Sequence, residues 1–229
     1  MKAYTSNNIR NIAVLGHGGK GKTTLCEAML YIAGASDRLG RVADGNTVLD
    51  FDSEEKRRKS SVSSAIAALE WDNTKLNIID APGLFDFEGG AAEAVRAAEA
   101  VLIVTSAGSG VDVGTEKAFR AAEKKGAAKF FAVTKTDSDH RNFYKTFDAL
   151  KEVYGNKLCP TIIPYMEGNI TKCYVNLMTG MAFSYDENGK ATKVPVPEDS
   201  VIEEMTSAFM EAVATCYLGV LLPRQQVRE

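Results

Sequence analysis

The chain has 229 residues, with 27 Lys+Arg against 30 Asp+Glu for a formal charge of −3, and 45% hydrophobic and 25% charged residues. These are the proportions of a globular chain with room for one or two domains, and they argue against holding DNA by bulk basic charge, since a near-neutral chain gains little from counterion release. No run approaches the ~18 apolar residues of a membrane span, and the polar start from Met1 to Arg10 lacks the apolar core of a signal peptide, so a cytoplasmic monomer with no membrane partner is expected.

Ile12-Ala13-Val14-Leu15 is a short apolar run that stops at glycines and predicts a strand, and Thr23 to Ala33 follows as a helix. Glu54 to Ser64 is polar and carries Lys56-Arg57-Arg58-Lys59, which reads as a solvated loop face. Leu76-Asn77-Ile78-Ile79 is a second strand, ending at Asp80-Ala81-Pro82-Gly83. Ala91 to Glu99 is helical, Val101 to Val104 a strand, Thr115 to Lys125 a helix, Phe130 to Val133 a strand and Phe143 to Tyr154 a helix. Strands with few polar positions, separated by helices, call for an α/β fold: a mostly parallel sheet with helices on both faces. After Cys159-Pro160 the texture changes. Tyr174 to Tyr185 is rich in β formers, Glu187-Asn188-Gly189-Lys190 reads as a hairpin turn, and Val194 to Pro197 is extended. Asp199 to Ala214 is helical, with Asp199 or Ser200 as its cap. The expected division is a core over residues 8–158, an α+β element over 159–215 and a tail of unclear structure over 216–229. Cys26, Cys159, Cys173 and Cys216 form no CxxC pair, and with only His17 and His140 beside them zinc-ligand spacing is absent; reduced, mostly buried thiols are expected.

Gly16-His17-Gly18-Gly19-Lys20-Gly21-Lys22-Thr23 satisfies GxxxxGK[ST] directly between a strand and a helix. Glycines let the backbone turn its N–H groups around a phosphate, and the following helix points its positive end there. Lys22 would reach the β- and γ-phosphates, the Thr23 hydroxyl would hold Mg²⁺, and Thr24 follows within reach. Two other readings share these residues. Gly16, Gly18 and Gly21 spell GxGxxG, but the dinucleotide reading wants a second strand ending in an acidic residue ~20 positions on, and the polar region from Gly34 to Gly45 offers none. The deviant phosphate loop of partitioning ATPases reads KGGxGKT, and here its signature lysine is His17.

The second and third motifs separate these. Asp80 ends a strand, where a carboxylate can hold Mg²⁺ through water, and the backbone N–H of Gly83 can meet a γ-phosphate. Thr134-Lys135-Thr136-Asp137 follows the Phe130–Val133 strand. Asp137 can accept hydrogen bonds from N1–H and the exocyclic amine of guanine, a pattern adenine does not present, and the Lys135 stem can lie across the base. Three motifs in this order describe a GTP-binding P-loop NTPase.

The surrounding residues resemble the elongation factor G family of translational GTPases. The likeness rests on Arg10-Asn11-Ile12, the loop, Thr24, Leu30-Tyr31, Asp80-Ala81-Pro82-Gly83 with Asp86-Phe87, Gly110-Val111 before Thr115-Glu116, and Asp148 to Gly155. Residues from Pro160 to about Ala214 resemble the start of the insertion in that family's G domain. The resemblance implies a divergent member that hydrolyses GTP with Mg²⁺ at the ribosome, in movement, splitting or protection, and a chain that stops inside the insertion. It carries phosphate and metal roles to Lys22, Thr23 and Asp80, guanine roles to Lys135 and Asp137, and a metal role in the first switch to Ser61, with Arg58 as the preceding base and Ser60, Ser63 and Ser64 nearby. Four departures stand out. Leu84 replaces the histidine that follows DxxG and positions the attacking water, which points to a switch with little hydrolysis unless Lys22, Gly83 and His17 suffice. Gly19 replaces the loop aspartate. Thr134 replaces an asparagine whose amide ties the base loop to the phosphate loop. The late SA-type base motif is absent, Ser106-Ala107 lying too early.

Overall fold

Ala13, Val14 and Leu15, at the end of strand β1 (Ile9–Leu15), are buried whichever way they point, as a central strand requires. β1 pairs in parallel with β3 (Thr74–Asp80) on one side and β4 (Ala100–Ser106) on the other. β5 (Ala128–Thr134) adds in parallel to β4, and β2 (Ala65–Trp71) runs antiparallel to β3, giving the order β2-β3-β1-β4-β5. The computed structural model describes residues 2–136, 142–155, 158–168, 170–186 and 189–221. Two compact units result, Met1–Thr136 and Asp137–Glu229.

In the first unit the two-residue period of the strands divides the apolar side chains between two faces. Val14, Ile78 and Val104 meet Cys26 and Leu30 of α1 (Lys22–Ile32) on one face. Helices α3 (Glu88–Ala97) and α4 (Val113–Lys125) cover the other, where Phe119 stacks on Phe131 with ring centroids 6.1 Å apart. The expected α/β architecture is therefore present. Two elements go beyond the sequence expectation. The polar segment after Phe51 contains the short helix α2 (Ser53–Arg58), closed by a reciprocal capping box of Asp52 and Glu55. Arg57 and Arg58 both pair with Glu54, holding its carboxyl down to about 2, while their side chains stay half exposed or more. Strand β2 was not anticipated, because it lies at the sheet edge with Ile66 and Trp71 facing solvent and so shows no clean alternation. Its turn does carry a signal: Asp72 (φ 44°) and Asn73 (φ 59°) are both left-handed, the geometry of a tight hairpin.

The second unit holds α5 (Phe143–Tyr154), an antiparallel sheet of β6 (Ile162–Glu167), β7 (Ile170–Asn176), β8 (Met181–Tyr185) and β9 (Ala191–Val194), and α6 (Ser200–Leu221). Phe147, Ile163, Cys173, Val175, Ala182 and Ile202 share one core. Helix α5, grouped from sequence with the strands before it, finds its apolar partners here. β6 was missed because Pro164 interrupts its pattern, which an edge strand tolerates. The β8–β9 hairpin stands where the turn was expected, with Gly189 at φ 77°; Glu187 and Asn188 lie outside the described residues. The Asp199 carboxylate accepts from the Val201 N–H at 2.8 Å, so Asp199 caps α6, which runs past the expected Ala214 to Leu221. Cys26 and Cys173 are buried free thiols. No helix among the described residues is long and apolar enough to cross a membrane.

Candidate functional site

The loop between β1 and α1 is shaped by close approaches that only glycine permits. At Gly16 (φ 139°) an added Cβ would lie 2.2 Å from the Val104 carbonyl oxygen. At Gly83 it would lie 2.2 Å from Lys22 Nζ and 2.8 Å from both Gly16 O and Gly18 N, so the strand end carrying Asp80-Ala81-Pro82-Gly83 sits directly against the loop. The Ala81 N–H donates to Val14 O at 3.2 Å, fixing that approach. Gly21 (φ 86°) precedes the first residue of α1, which starts at Lys22.

Lys22 is 6% exposed and donates to the Gly16 and His17 carbonyls at 3.1 Å each. Burial lowers the affinity of its ammonium for the proton, and the Asp80 carboxylate opposes that effect. The Thr23 hydroxyl donates to Asp80 Oδ2 at 2.7 Å and lies 3.2 Å from Ser61 Oγ, so the three residues read as metal ligands meet in space. Among the serines near the first switch, Ser63 turns to Glu55 and Ser64 to the Gly90 carbonyl; Ser61 alone of these reaches Thr23.

A fourth member was not anticipated. The Ser61 hydroxyl donates to Asp50 Oδ1 at 2.7 Å, bringing a second buried carboxylate to the cluster. Asp50 stands between Leu49 and Phe51 with no spacing signal, and only the path of the chain from residue 40 to 61 delivers it. Burial raises both acids, Asp80 to about 7. Asp80 Oδ1 and Asp50 Oδ2 are buried without a hydrogen-bond partner among the described residues. Two orphaned carboxylate oxygens beside two hydroxyls form a hard oxygen set that suits Mg²⁺. No three His, Cys, Asp or Glu side chains gather as a metal set among the described residues, so the hydroxyls are essential to that fit.

Two buried glutamates hold the segment that bears these groups. Glu27 of α1 is fully buried and its Oε1 accepts from the Val48 and Leu49 N–H groups at 2.8 and 3.0 Å. Glu55 Oε1 accepts from Val62 and Ser63, which flank Ser61 on its far side. Glu27→Ala leaves two backbone donors unmet, that of Leu49 buried and that of Val48 partly so, for an expected loss of about 3 kcal/mol and a melting temperature lower by roughly 6–12 °C, with Glu27→Gln milder because it keeps an acceptor. Thermal denaturation of both variants checks this.

The third motif reaches the loop from β5. The Thr134 hydroxyl lies 2.6 Å from the Lys20 carbonyl and 3.1 Å from the Thr105 carbonyl, the shorter contact taking its one hydrogen. The tie expected to be lost with asparagine is thus kept by a hydroxyl. Lys135 (φ 56°) donates to Gly19 O at 2.6 Å. Thr136 follows at the end of the first unit; Asp137 lies outside the described residues. Lys20 pairs with Asp112, the residue that caps α4, at 3.2 Å. The His17 ring meets Phe85 edge-on at 5.5 Å, its Nδ1 buried without a partner among the described residues. Leu84 is 39% exposed, with a methyl 3.0 Å from where a Cβ on Gly18 would stand. The result is a cleft of about 210 Å³ lined by the loop glycines, Lys22, Thr23, Thr24, Ser61 and Lys135, among others.

Known proteins resemble this chain in sequence and fold. The family described as the elongation factor Tu GTP binding domain matches residues 7–218. An elongation factor G-like protein of Mycobacterium tuberculosis is 34% identical over 206 residues, covering 90% of this chain and 28% of that protein. Elongation factor G of Mycoplasma genitalium is 30% identical over 212 residues, covering 91% of this chain and 31% of its own length. A crystal structure of a Thermus thermophilus protein superposes with a TM-score of 0.83 at 35% identity, covering 90% of this chain and 31% of that one. The chain therefore spans less than a third of the length of these relatives.

Proposed function

The chain belongs to the elongation factor Tu GTP-binding domain family, and from that premise we propose that it binds GTP and GDP with Mg²⁺ as a monomeric switch acting with the ribosome, hydrolysing GTP slowly on its own. The observation that carries this reading is the meeting of Thr23, Ser61, Asp80 and Asp50 beside the buried Lys22.

In this reading Lys22 and the N–H groups of the loop take the β- and γ-phosphates. Thr23 and Ser61 hold Mg²⁺, with Asp80 and Asp50 taking its surrounding water. Bound Mg²⁺ supplies charge neutralisation at the phosphate oxygens. The Gly83 N–H meets the terminal phosphate, which lets the strand end respond to its loss. Lys135, anchored on Gly19 O, and Thr134, anchored on Lys20 O, hold the base loop to the phosphate loop so that Asp137 can accept from guanine. Residues 8–158 would form the nucleotide-binding core and 159–215 the beginning of an insertion. Slow turnover is supported by Leu84, which offers no hydrogen bond to an attacking water and leans over Gly18. His17 is the nearest imidazole on the loop, and it is the candidate to orient water if turnover is fast.

Titration with fluorescent GTP and ATP analogues in Mg²⁺ tests the base. A carboxylate built to accept two guanine hydrogens leaves adenine unmatched, so GTP is expected to bind at least about 100-fold more tightly. Equal or tighter ATP binding would sink the assignment. Phosphate release measured with and without ribosomes then tests turnover, with stimulation by ribosomes expected.

A further inference from the structure

Lys59 is a left-handed lysine at the rim of the phosphate cleft. Its backbone stands at φ 53°, ψ 41°, a conformation that costs an L side chain energy and that glycine adopts freely. It ends α2, its N–H closing the last turn onto Glu55 O. A helix end alone would be served better by glycine. Of the neighbouring cations, Arg57 and Arg58 share the carboxylate of Glu54, at 2.7 and 2.5 Å, and Lys56 does not line the cleft. The Lys59 ammonium has no hydrogen-bond or ion-pair partner among the described residues, and Lys59 lines the same cleft as Lys22, Ser60, Ser61 and Gly83. The left-handed turn is what swings residue 59 from the solvated run into that wall, one residue before Ser60 and two before the hydroxyl that meets Thr23.

We propose that Lys59 is a phosphate-contacting cation, supplied by the first switch segment to the terminal phosphate of a bound nucleoside triphosphate. The inference rests on the reading of this cleft as a Mg²⁺–GTP site. Lys22 and the loop glycines take the phosphates nearest the loop, and residues 59–61, which line the same cleft, are offered to the phosphate farthest from it. A positive group there stabilises the triphosphate and does less for the diphosphate, as basic residues do wherever phosphoryl charge must be neutralised. Arg58, the base that the resemblance places before Ser61, is paired with Glu54 in this structure.

The test is the ratio of GTP to GDP affinity, measured with fluorescent GTP and GDP analogues in Mg²⁺ for the unaltered chain, Lys59→Gly and Lys59→Met. Lys59→Gly relieves the left-handed strain, so its melting temperature is expected to hold or rise. Lys59→Met keeps the stem and removes the charge, which isolates the electrostatic role. Both are expected to weaken GTP about tenfold, the worth of one charge-assisted contact, and GDP less than about twofold. Lys59→Arg should retain most of the preference. An unchanged GTP-to-GDP ratio in both neutral variants, with the unaltered chain binding both nucleotides, would overturn the role of Lys59 and leave the GTP-binding reading standing. Failure of the unaltered chain to bind either nucleotide would overturn that reading and this proposal with it.

Discussion

Lys22→Ala is expected to lower GTP and GDP affinity by roughly 100- to 1,000-fold, without destabilising the nucleotide-free protein. Both halves follow from where the ammonium sits. Lys22 is 6% exposed, its hydrogens given to two loop carbonyls at 3.1 Å, and burial disfavours its charge. In the absence of an anion, this is a cation removed from water and only partly compensated. A phosphate would meet it in a site of low dielectric, where the attraction is strong and no reorganisation is needed. Truncation therefore removes the main electrostatic contact to the ligand and also relieves an unfavourable burial in the free protein. A melting temperature that stays level or rises a few degrees, together with lost affinity, is the expected pattern, as at functional positions held against stability. Calorimetric titration and thermal denaturation of the same preparation check it. An affinity loss under about tenfold would mean that the phosphates lie elsewhere.

Asp80→Asn has the second large effect, and here pH is the diagnostic. In the metal-free protein, burial at 1% exposure pushes the Asp80 carboxyl up to about 7, above the ~3.9 of an unfolded aspartate. The folded chain then holds this proton more tightly than the unfolded chain. Metal-free stability from this group is fully present below about pH 4 and declines as pH rises through about 7, by at most about 4 kcal/mol. Metal binding needs the ionised carboxylate, so Mg²⁺ affinity should climb by up to about tenfold per pH unit below 7. Asparagine still accepts from Thr23 but cannot ionise. In EDTA, Asp80→Asn should flatten the decline in stability above pH 5 and leave the variant more stable than the parent at pH 8. In Mg²⁺, its nucleotide affinity should lose its metal dependence. Mg²⁺ dependence equal to that of the parent would refute the role given to Asp80.

Local spacing determined much of this protein. Val14-Leu15 followed by the glycines and Lys22-Thr23 encode strand, loop and helix within one short stretch, because each residue acts on its immediate neighbours: apolar side chains bury the strand, glycines permit the turn, and the next helix supplies the positive end. The alternation from Ile12 to Val133 likewise determines a parallel sheet covered on both faces. Edge elements were less legible. β2 shows its outer face to water, and β6 contains Pro164, so neither carries a clean pattern.

What only the tertiary structure decided is which distant groups touch. Thr23 and Asp80 are 57 positions apart, Thr23 and Ser61 38, and Thr134 and Lys20 114. Nothing local relates them: their meeting depends on β3 lying beside β1, on β5 reaching the loop through β4, and on Glu27 and Glu55 fixing a polar segment with no periodicity of its own. The sequence could name Lys22, Thr23 and Asp80 from their motifs. It could not reveal Asp50, nor that the Thr134 hydroxyl keeps the tie to the phosphate loop, nor that Lys59 rather than Arg58 is, among the described residues of that basic run, the unpaired cation at the cleft. Motif residues are set by their neighbours in the chain. These others are set by burial and hydrogen bonding between segments that only folding brings together.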